Sequence, residues 1–157
     1  MKALSLMPYW ADQVMWGDKT VEVRTWKTEH RGDLLICSSS RRHSGFIPGH
    51  ALCIVELTGI EPFTADHCEA AGFEPGEVPE RPSYAWHLDN LRWVEPFAVK
   101  GSLHLFDVPD DLVRTIEPFA TTEDQERTLR ELFLPHVYFA RGDQEARDYW
   151  AEITGTK

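Results

Sequence analysis

Residues 17–26 read Gly-Asp-Lys-Thr-Val-Glu-Val-Arg-Thr-Trp, and they form the clearest strand pattern in the chain. β-branched residues dominate this stretch, which favours an extended conformation over a helix. Because side chains alternate along a strand, Val21 and Val23 are expected to face the core. Glu22 and Arg24 then project together from the opposite face. The stretch therefore predicts a half-buried strand that presents a carboxylate beside a guanidinium.

The sequence around this strand predicts a small β-rich fold. Alternating or β-branched runs predict further strands at 3–7, 34–38, 51–57, 84–88, 91–94 and 102–107. Pro8 suits the first turn of a helix that ends before Gly17, and Thr64 suits the cap of a second short helix at 65–71. Several short strands with few short helices indicate an α+β, mainly β fold, namely a small β-barrel flanked by short helices.

The segment from residue 110 onward has a different pattern. Residues 122–134 and 143–153 carry apolar side chains at helical spacing. Their aromatic residues would be exposed to solvent unless the helices packed against the rest of the chain. We therefore predict two units: a barrel at 1–109 and a helical C-terminal extension at 110–157 that packs on it.

The composition is that of an ordinary globular domain, with 157 residues of which 42% are hydrophobic. No apolar run approaches the roughly 20 residues that cross a bilayer, and the N-terminus lacks a signal-peptide pattern. Three cysteines without CxxC spacing are typical of reduced thiols. We expect a cytoplasmic protein with no membrane contact.

Charge is distributed unevenly along the chain, whose net charge is −10. Residues 1–50 carry seven Lys or Arg and five Asp or Glu, whereas residues 51–157 carry nine and 21. The overall sign argues against a salt-driven coat on long nucleic acid, which needs a broad basic face. The uneven distribution favours a local basic cleft for a small anionic or polar ligand.

Four residues, Gly17, Lys19, Glu22 and Arg24, fill the defining positions of a GxKxxExR motif, and through them the chain resembles the ASCH domain family. Further matching features follow in order: Leu4-Ser5-Leu6 before a helix, Arg31-Gly32 before an apolar strand, the Ser-rich end of that strand, Trp86-His87-Leu88 and the Lys100-Gly101 turn. The resemblance covers the N-terminus to about residue 109.

The resemblance implies a PUA-like barrel with a cleft beside the first helix and the second strand. It implies a ligand that is RNA or a modified nucleoside or nucleotide. Some relatives cleave the acyl-amide of N4-acetylcytidine, and some are reported to act on RNA. Glu22 stands where the deacylating relatives carry a threonine proposed as nucleophile, so an enzyme here needs a different mechanism. The implied function is binding of RNA or a modified nucleobase, and the alternative is a hydrolase that uses the same cleft, an amidohydrolase on N4-acylated cytidine or a ribonuclease.

The predicted site centres on the strand that carries the motif. If the protein is an enzyme, Lys19 and Glu22 form its acid/base pair, since opposite charges tune each other's pKa. Arg24 is expected to hold a phosphate or a carbonyl of the ligand. A structural ion pair between Glu22 and Arg24 is the other interpretation of these two residues.

Neighbouring residues extend the predicted site. Ser39 and Arg41 follow the next strand, where a hydroxyl and a guanidinium suit phosphate contacts. Trp26 and Trp86 are candidates to stack on a base, although most tryptophans of small domains lie in the core.

We expect neither a cofactor nor a metal. His43, His50, His67 and Cys68 lack the spacing of zinc ligands, and no GxSxG pattern marks a serine hydrolase. A third alternative is a protein-interaction adaptor that uses the acidic helical C-terminal segment.

Overall fold

A six-stranded mixed sheet forms the framework of the chain in the computed structural model, which describes residues 1–156. The strands are β1 (Lys2–Leu6), β2 (Val21–Arg24), β3 (Gly32–Ser38), β4 (His50–Pro62), β5 (Tyr84–Ala98) and β6 (Phe106–Asp107). Their order across the sheet is β2-β5-β4-β3-β1-β6. Strands β1 and β3 pair in parallel, and the other neighbours are antiparallel.

Short helices flank this sheet. They are α1 (Pro8–Met15), α2 (Cys68–Ala71) directly after a 3₁₀ turn (Ala65–His67), α3 (Thr122–Thr128) and α4 (Gln144–Ile153). Pro8 begins α1 as predicted, and Gly17 follows its end with φ +82°, a left-handed conformation that glycine adopts without strain. The α+β, mainly β fold class is thereby confirmed. Within residues 1–156, no helix has the length and apolar character that a bilayer span requires.

The sheet curves but stays open between its edge strands, β2 and β6. Curvature comes from β4 and β5, whose pairing shifts register at three places, because β-bulges bend and twist a strand. Residues 84–88 and 91–94, predicted as two strands, are one strand that passes through Asn90 with φ +50°. Of the strand predicted at 102–107 only β6 forms, and the residues before it remain a loop.

The core covers both faces of β3, which explains its continuous apolar sequence. Leu34 and Ile36 lie in the main cluster under α1, whereas Leu35 and Cys37 lie in a second cluster on the opposite face. A small third cluster joins Val21, Ala71 and Ala85. The three cysteines are free and buried, and burial raises the pKa of the Cys37 thiol to about 12.

The C-terminal segment contributes to the main cluster. Leu129, Phe133 and Trp150 are almost completely buried there, together with core residues of the sheet and α1. Trp150 Nε1 also donates a hydrogen bond to the Gly45 carbonyl at 2.8 Å. The division into units at residues 1–109 and 110–157 stays a prediction, and its last residue, Lys157, lies outside the described residues.

We predict that Trp150→Ala lowers the free energy of unfolding by about 3–5 kcal/mol, because it leaves a large cavity in the main cluster and an unpaired Gly45 carbonyl. Urea unfolding followed by far-UV circular dichroism measures this loss. The adjacent Tyr149→Ala is the matched control, since Tyr149 is 48% exposed. Equal stability of the two variants would show that the C-terminal segment is a loosely attached appendage.

A second prediction concerns Asp12 on α1. Burial raises the pKa of Asp12 to about 7, and Asp18 adds to this, while a hydrogen bond from Trp16 opposes it. Between the unfolded pKa of 3.8 and the folded pKa of about 7, the native chain binds a proton that the unfolded chain lacks. Stability is therefore lost as pH rises through this window.

Asp12→Asn removes this cost and keeps an acceptor for Trp16. We expect the variant to match the wild type near pH 4 and to exceed its stability by roughly 1–3 kcal/mol above pH 7. Thermal unfolding across this pH range measures the difference. The exposed Glu29→Gln controls for loss of one negative charge, and an equal gain in both variants would assign the effect to net charge alone.

Candidate functional site

A cleft of about 860 Å³ lies at the open side of the sheet. Here the edge strand β2 approaches the end of β1, and this junction of β2 and β1 is called the seam. Strand β2 and the residues on either side of it form one wall, and the loop at residues 99–104 forms another. The residues that line the cleft include Ser5, Trp10, Lys19, Glu22, Arg24, Trp26, Ser39, Ser40, Phe73, Lys100, Gly101, Ser102, Leu103 and His104. The cleft thus contains most of the residues predicted from the motif.

Lys19 is the most deeply buried charged residue of the cleft, with a side chain that is 1% exposed. Its Nζ donates to the Ala71 carbonyl at 2.7 Å and lies 3.5 Å from Glu22 Oε1. The ammonium also sits 4.6 Å from the centre of the Trp10 ring, a favourable cation–π distance. Burial lowers the pKa of Lys19, and the charge of Glu22 partly opposes this.

Glu22 and Arg24 project together from β2 as the alternation predicts, and they bind each other. Glu22 Oε2 accepts hydrogen bonds from Arg24 Nη2 at 3.0 Å and Nε at 3.3 Å, while its Oε1 accepts from the Val23 amide at 2.9 Å. Arg24 Nη2 also donates to the Ser5 carbonyl at 3.0 Å. Arg24 therefore bridges the seam between β2 and β1.

The two candidate stacking tryptophans have different positions. Trp26 is partly exposed on the cleft wall, with its ring 4.8 Å from that of His104. Trp86 has no exposed surface, packs edge-on against Trp26 at 4.9 Å, and donates its Nε1 to the Trp26 carbonyl at 3.3 Å. Trp86 therefore supports the cleft wall from behind and has no surface that a ligand can touch.

The serine-rich segment after β3 reaches the cleft only in part. Ser39 lines the cleft, and its amide donates to the Leu6 carbonyl at 2.7 Å. Ser40 lies beside it on the same wall. Arg41 is exposed and outside the lining, because the chain turns away after Ser40. A phosphate contact from Arg41 is thus not available within the cleft.

Several lining residues were missed in the sequence analysis. Trp10 and Phe73 enclose Lys19, and Lys100 and His104 lie on the loop at 99–104. A Cβ atom at Gly101 would lie 2.6 Å from Ser5 Oγ, so only glycine lets this loop approach β1 so closely. The Lys100-Gly101 pair was recognised in the sequence, but as a turn and not as part of a site.

The cleft is basic within an acidic chain. Its lining holds the cations Lys19, Arg24 and Lys100 against one carboxylate, Glu22. Among the described residues, the lining offers only this carboxylate and the imidazole of His104 as metal ligands, which is fewer than structural or catalytic zinc sites use. The arrangement suits an anionic or polar ligand better than a metal ion.

Comparison with known proteins agrees with the motif. The sequence model of the family described as "ASCH domain" matches residues 4–98. No curated protein matches the chain. An ASCH crystal structure from Zymomonas mobilis is 15% identical, with a TM-score of 0.48 over 94% of this chain and 93% of that chain.

Two variants of the Zymomonas mobilis protein are similar as well. A serine-to-alanine variant is 16% identical, with a TM-score of 0.47 over 97% of this chain and 94% of that chain. A tyrosine-to-phenylalanine variant is 15% identical, with a TM-score of 0.46 over 94% and 95%. The family match spans more than half of the sequence, and the chain therefore belongs to the ASCH domain family.

Proposed function

We propose that the cleft binds single-stranded RNA or a modified nucleobase. The observation that carries this proposal is the combination, in one cleft of about 860 Å³, of the cations Arg24 and Lys100 with the partly exposed ring of Trp26. Single-stranded nucleic acids are recognised by aromatic stacking together with cationic contacts to the backbone. Membership of the ASCH family is consistent with a role connected to nucleic acid or RNA.

The base is expected to bind against Trp26. This ring is held from behind by the buried Trp86 and is flanked by His104, so its position is rigid before the ligand arrives. A rigid aromatic surface loses little entropy on binding. Stacking of one base on such a ring contributes about 1–3 kcal/mol.

The phosphate is expected to bind to polar side chains of the same lining. Lys100 is exposed on the loop at 99–104, and Ser39 and Ser40 line the same cleft. Arg24 uses Nε and Nη2 for protein contacts, and its Nη1 has no protein partner within residues 1–156. These groups supply donors of the kind that hold phosphate oxygens.

We predict that Trp26→Ala weakens binding of short single-stranded RNA by about 1–3 kcal/mol, because it removes the stacking surface.

Lys100→Ala should weaken binding of all sequences alike and reduce the slope of log affinity against log salt by about 0.7, the value for one phosphate contact. Fluorescence anisotropy with labelled RNA and DNA of the same sequence, and with nucleosides as competitors, measures both effects.

Two exposed cations outside the cleft lining serve as controls. Arg141→Ala and Arg41→Ala remove the same charge as Lys100→Ala and should leave affinity within about twofold. Equal losses in all three charge variants would assign binding to net charge, and the cleft would then not be the site. Failure of the wild type to bind any RNA, DNA or nucleoside at low salt would also contradict the proposal.

A hydrolase is the second candidate, and the burial of Lys19 favours it. Because burial lowers the pKa of Lys19, a larger fraction of this side chain is in the neutral amine form than in an exposed lysine. In such a reaction Lys19 Nζ takes a proton from water, whose oxygen attacks the acyl carbon of an N4-acylated cytidine or the phosphorus of RNA. The departing nitrogen or oxygen receives a proton in return, while Glu22, 3.5 Å away, stabilises the ammonium.

Mass spectrometry of nucleosides and short RNAs after incubation tests this candidate. We expect product from the wild type, no product from Lys19→Met, and binding retained in that variant. The rate should rise with pH and level off below the usual lysine pKa of 10.5, since the neutral amine is the active form. Equal product from Lys19→Met would exclude Lys19 as the base, and binding without product in the wild type would favour a binding module.

A further inference from the structure

We propose that Glu61, His67 and His87 form a binding site for a divalent transition-metal ion of the zinc class. One ligand atom from each residue lies within 4.8 Å of the others. Glu61 Oε1 is 2.6 Å from His67 Nε2 and 3.2 Å from His87 Nε2. None of the three lines the cleft at the seam, so the inference does not rest on the proposed function.

The fold brings the three residues together from separate elements. Glu61 on β4 pairs with Ala85, and His87 lies two residues further along β5, so alternation places both side chains on one face of the sheet. His67 is the last residue of the 3₁₀ turn that packs over this face. Spacing along the chain gives no sign of this cluster, and the expectation of no metal rested on that spacing.

Two imidazoles and one carboxylate are a zinc ligand set, and they also suit cobalt and nickel. Tetrahedral zinc with bonds of roughly 2.1 Å separates neighbouring ligand atoms by about 3.4 Å. The distance from Glu61 to His87 already fits this value, and that from Glu61 to His67 must lengthen by under 1 Å.

The hydrogen bonds of His67 show what the ion would replace. The Thr64 amide donates to His67 Nδ1 at 2.9 Å, so the proton of the neutral ring is on Nε2 and points at Glu61 Oε1. A metal ion on Nε2 takes the place of this proton, which moves to Nδ1, and the Thr64 amide must then give up its hydrogen bond to Nδ1. Thr64 Oγ1, 3.4 Å from Nδ1, is positioned to accept a hydrogen bond from Nδ1. Metal-binding histidines usually have such a second partner.

The site is open enough for an ion to enter. The side chain of Glu61 is 54% exposed and that of His87 is 37% exposed, while His67 is 12% exposed and held by the turn. Three protein ligands leave the fourth zinc position to water. The ring of Phe63, 5.4 Å from His67, covers one side of the cluster.

An ion at this site would also be coupled to the helical segment that holds Lys19. Helix α2 follows His67 directly, and its last residue, Ala71, accepts the hydrogen bond from Lys19 Nζ. Phe73, two residues further on, packs against both Phe63 and Trp10. The metal site and the buried lysine are therefore connected through one short helical segment.

The test is a titration of the full chain with Co²⁺, followed by visible absorption, and with Zn²⁺, followed by calorimetry. We expect one ion per chain and a rise in Tm with metal, because only the folded state assembles the ligands. His87→Ala should weaken affinity at least about tenfold. His67→Asn should do the same while keeping the turn, since Asn Oδ1 replaces Nδ1 as acceptor for the Thr64 amide.

His136→Ala is the matched control. His136 forms the other close histidine pair, with its ring 4.4 Å from that of His50, and its loss should change affinity by less than about twofold. No binding to the wild type would overturn the proposal. So would a loss of affinity in His136→Ala alone, which would place the ion at the His50–His136 pair.

Discussion

The chain of buried charges from Lys19 through Glu22 to Arg24 is the interaction on which the seam depends. Removing these groups from water costs several kcal/mol each unless partners satisfy them. Here Lys19 is satisfied by the Ala71 carbonyl and the Trp10 ring, and Glu22 by three donors. The last link, from Arg24 to the Ser5 carbonyl, ties the edge strand β2 to the end of β1. The motif residues thus hold the cleft in shape before any ligand binds.

This structural role limits what the same residues offer to a ligand. Glu22 uses both oxygens within the protein, and Lys19 is 1% exposed, so neither projects freely into the cleft. The groups that keep a free hydrogen-bond donor within residues 1–156 lie around them, namely Arg24 Nη1 and the exposed Lys100. Within the motif, Lys19 and Glu22 therefore build the wall of the cleft, and Arg24 alone keeps a donor that faces no protein partner among residues 1–156.

Much of the fold follows from the sequence, because local rules decide it. Alternation at 20–26 placed Glu22 and Arg24 on one face, and Pro8 and Gly17 marked the ends of α1. The path of β5 through Asn90 was not predictable, because a single positive-φ residue within a bulged pair looks like a turn. Whether each predicted site residue binds a ligand stays a prediction.

The site was harder to predict, because it depends on contacts between distant residues. The local sequence does not distinguish the roles of Trp26 and Trp86, and only the tertiary structure shows that Trp26 lines the cleft and Trp86 lies in the core. Arg41 follows directly on the serines that line the cleft, but the loop after Ser40 turns away and leaves Arg41 outside the lining. Phe73 follows a loop glycine and carries no motif at all.

The open sheet also affects how the protein avoids self-association. An unpaired strand edge invites a strand from a second molecule, and long flat apolar edges are the usual start of aggregation. Here the two edges are short, four residues in β2 and two in β6. Strand β2 also carries a carboxylate and a guanidinium that point inward, and an added strand would find few matching partners beside them. The same charges that shape the cleft therefore protect the chain from growing into a larger sheet.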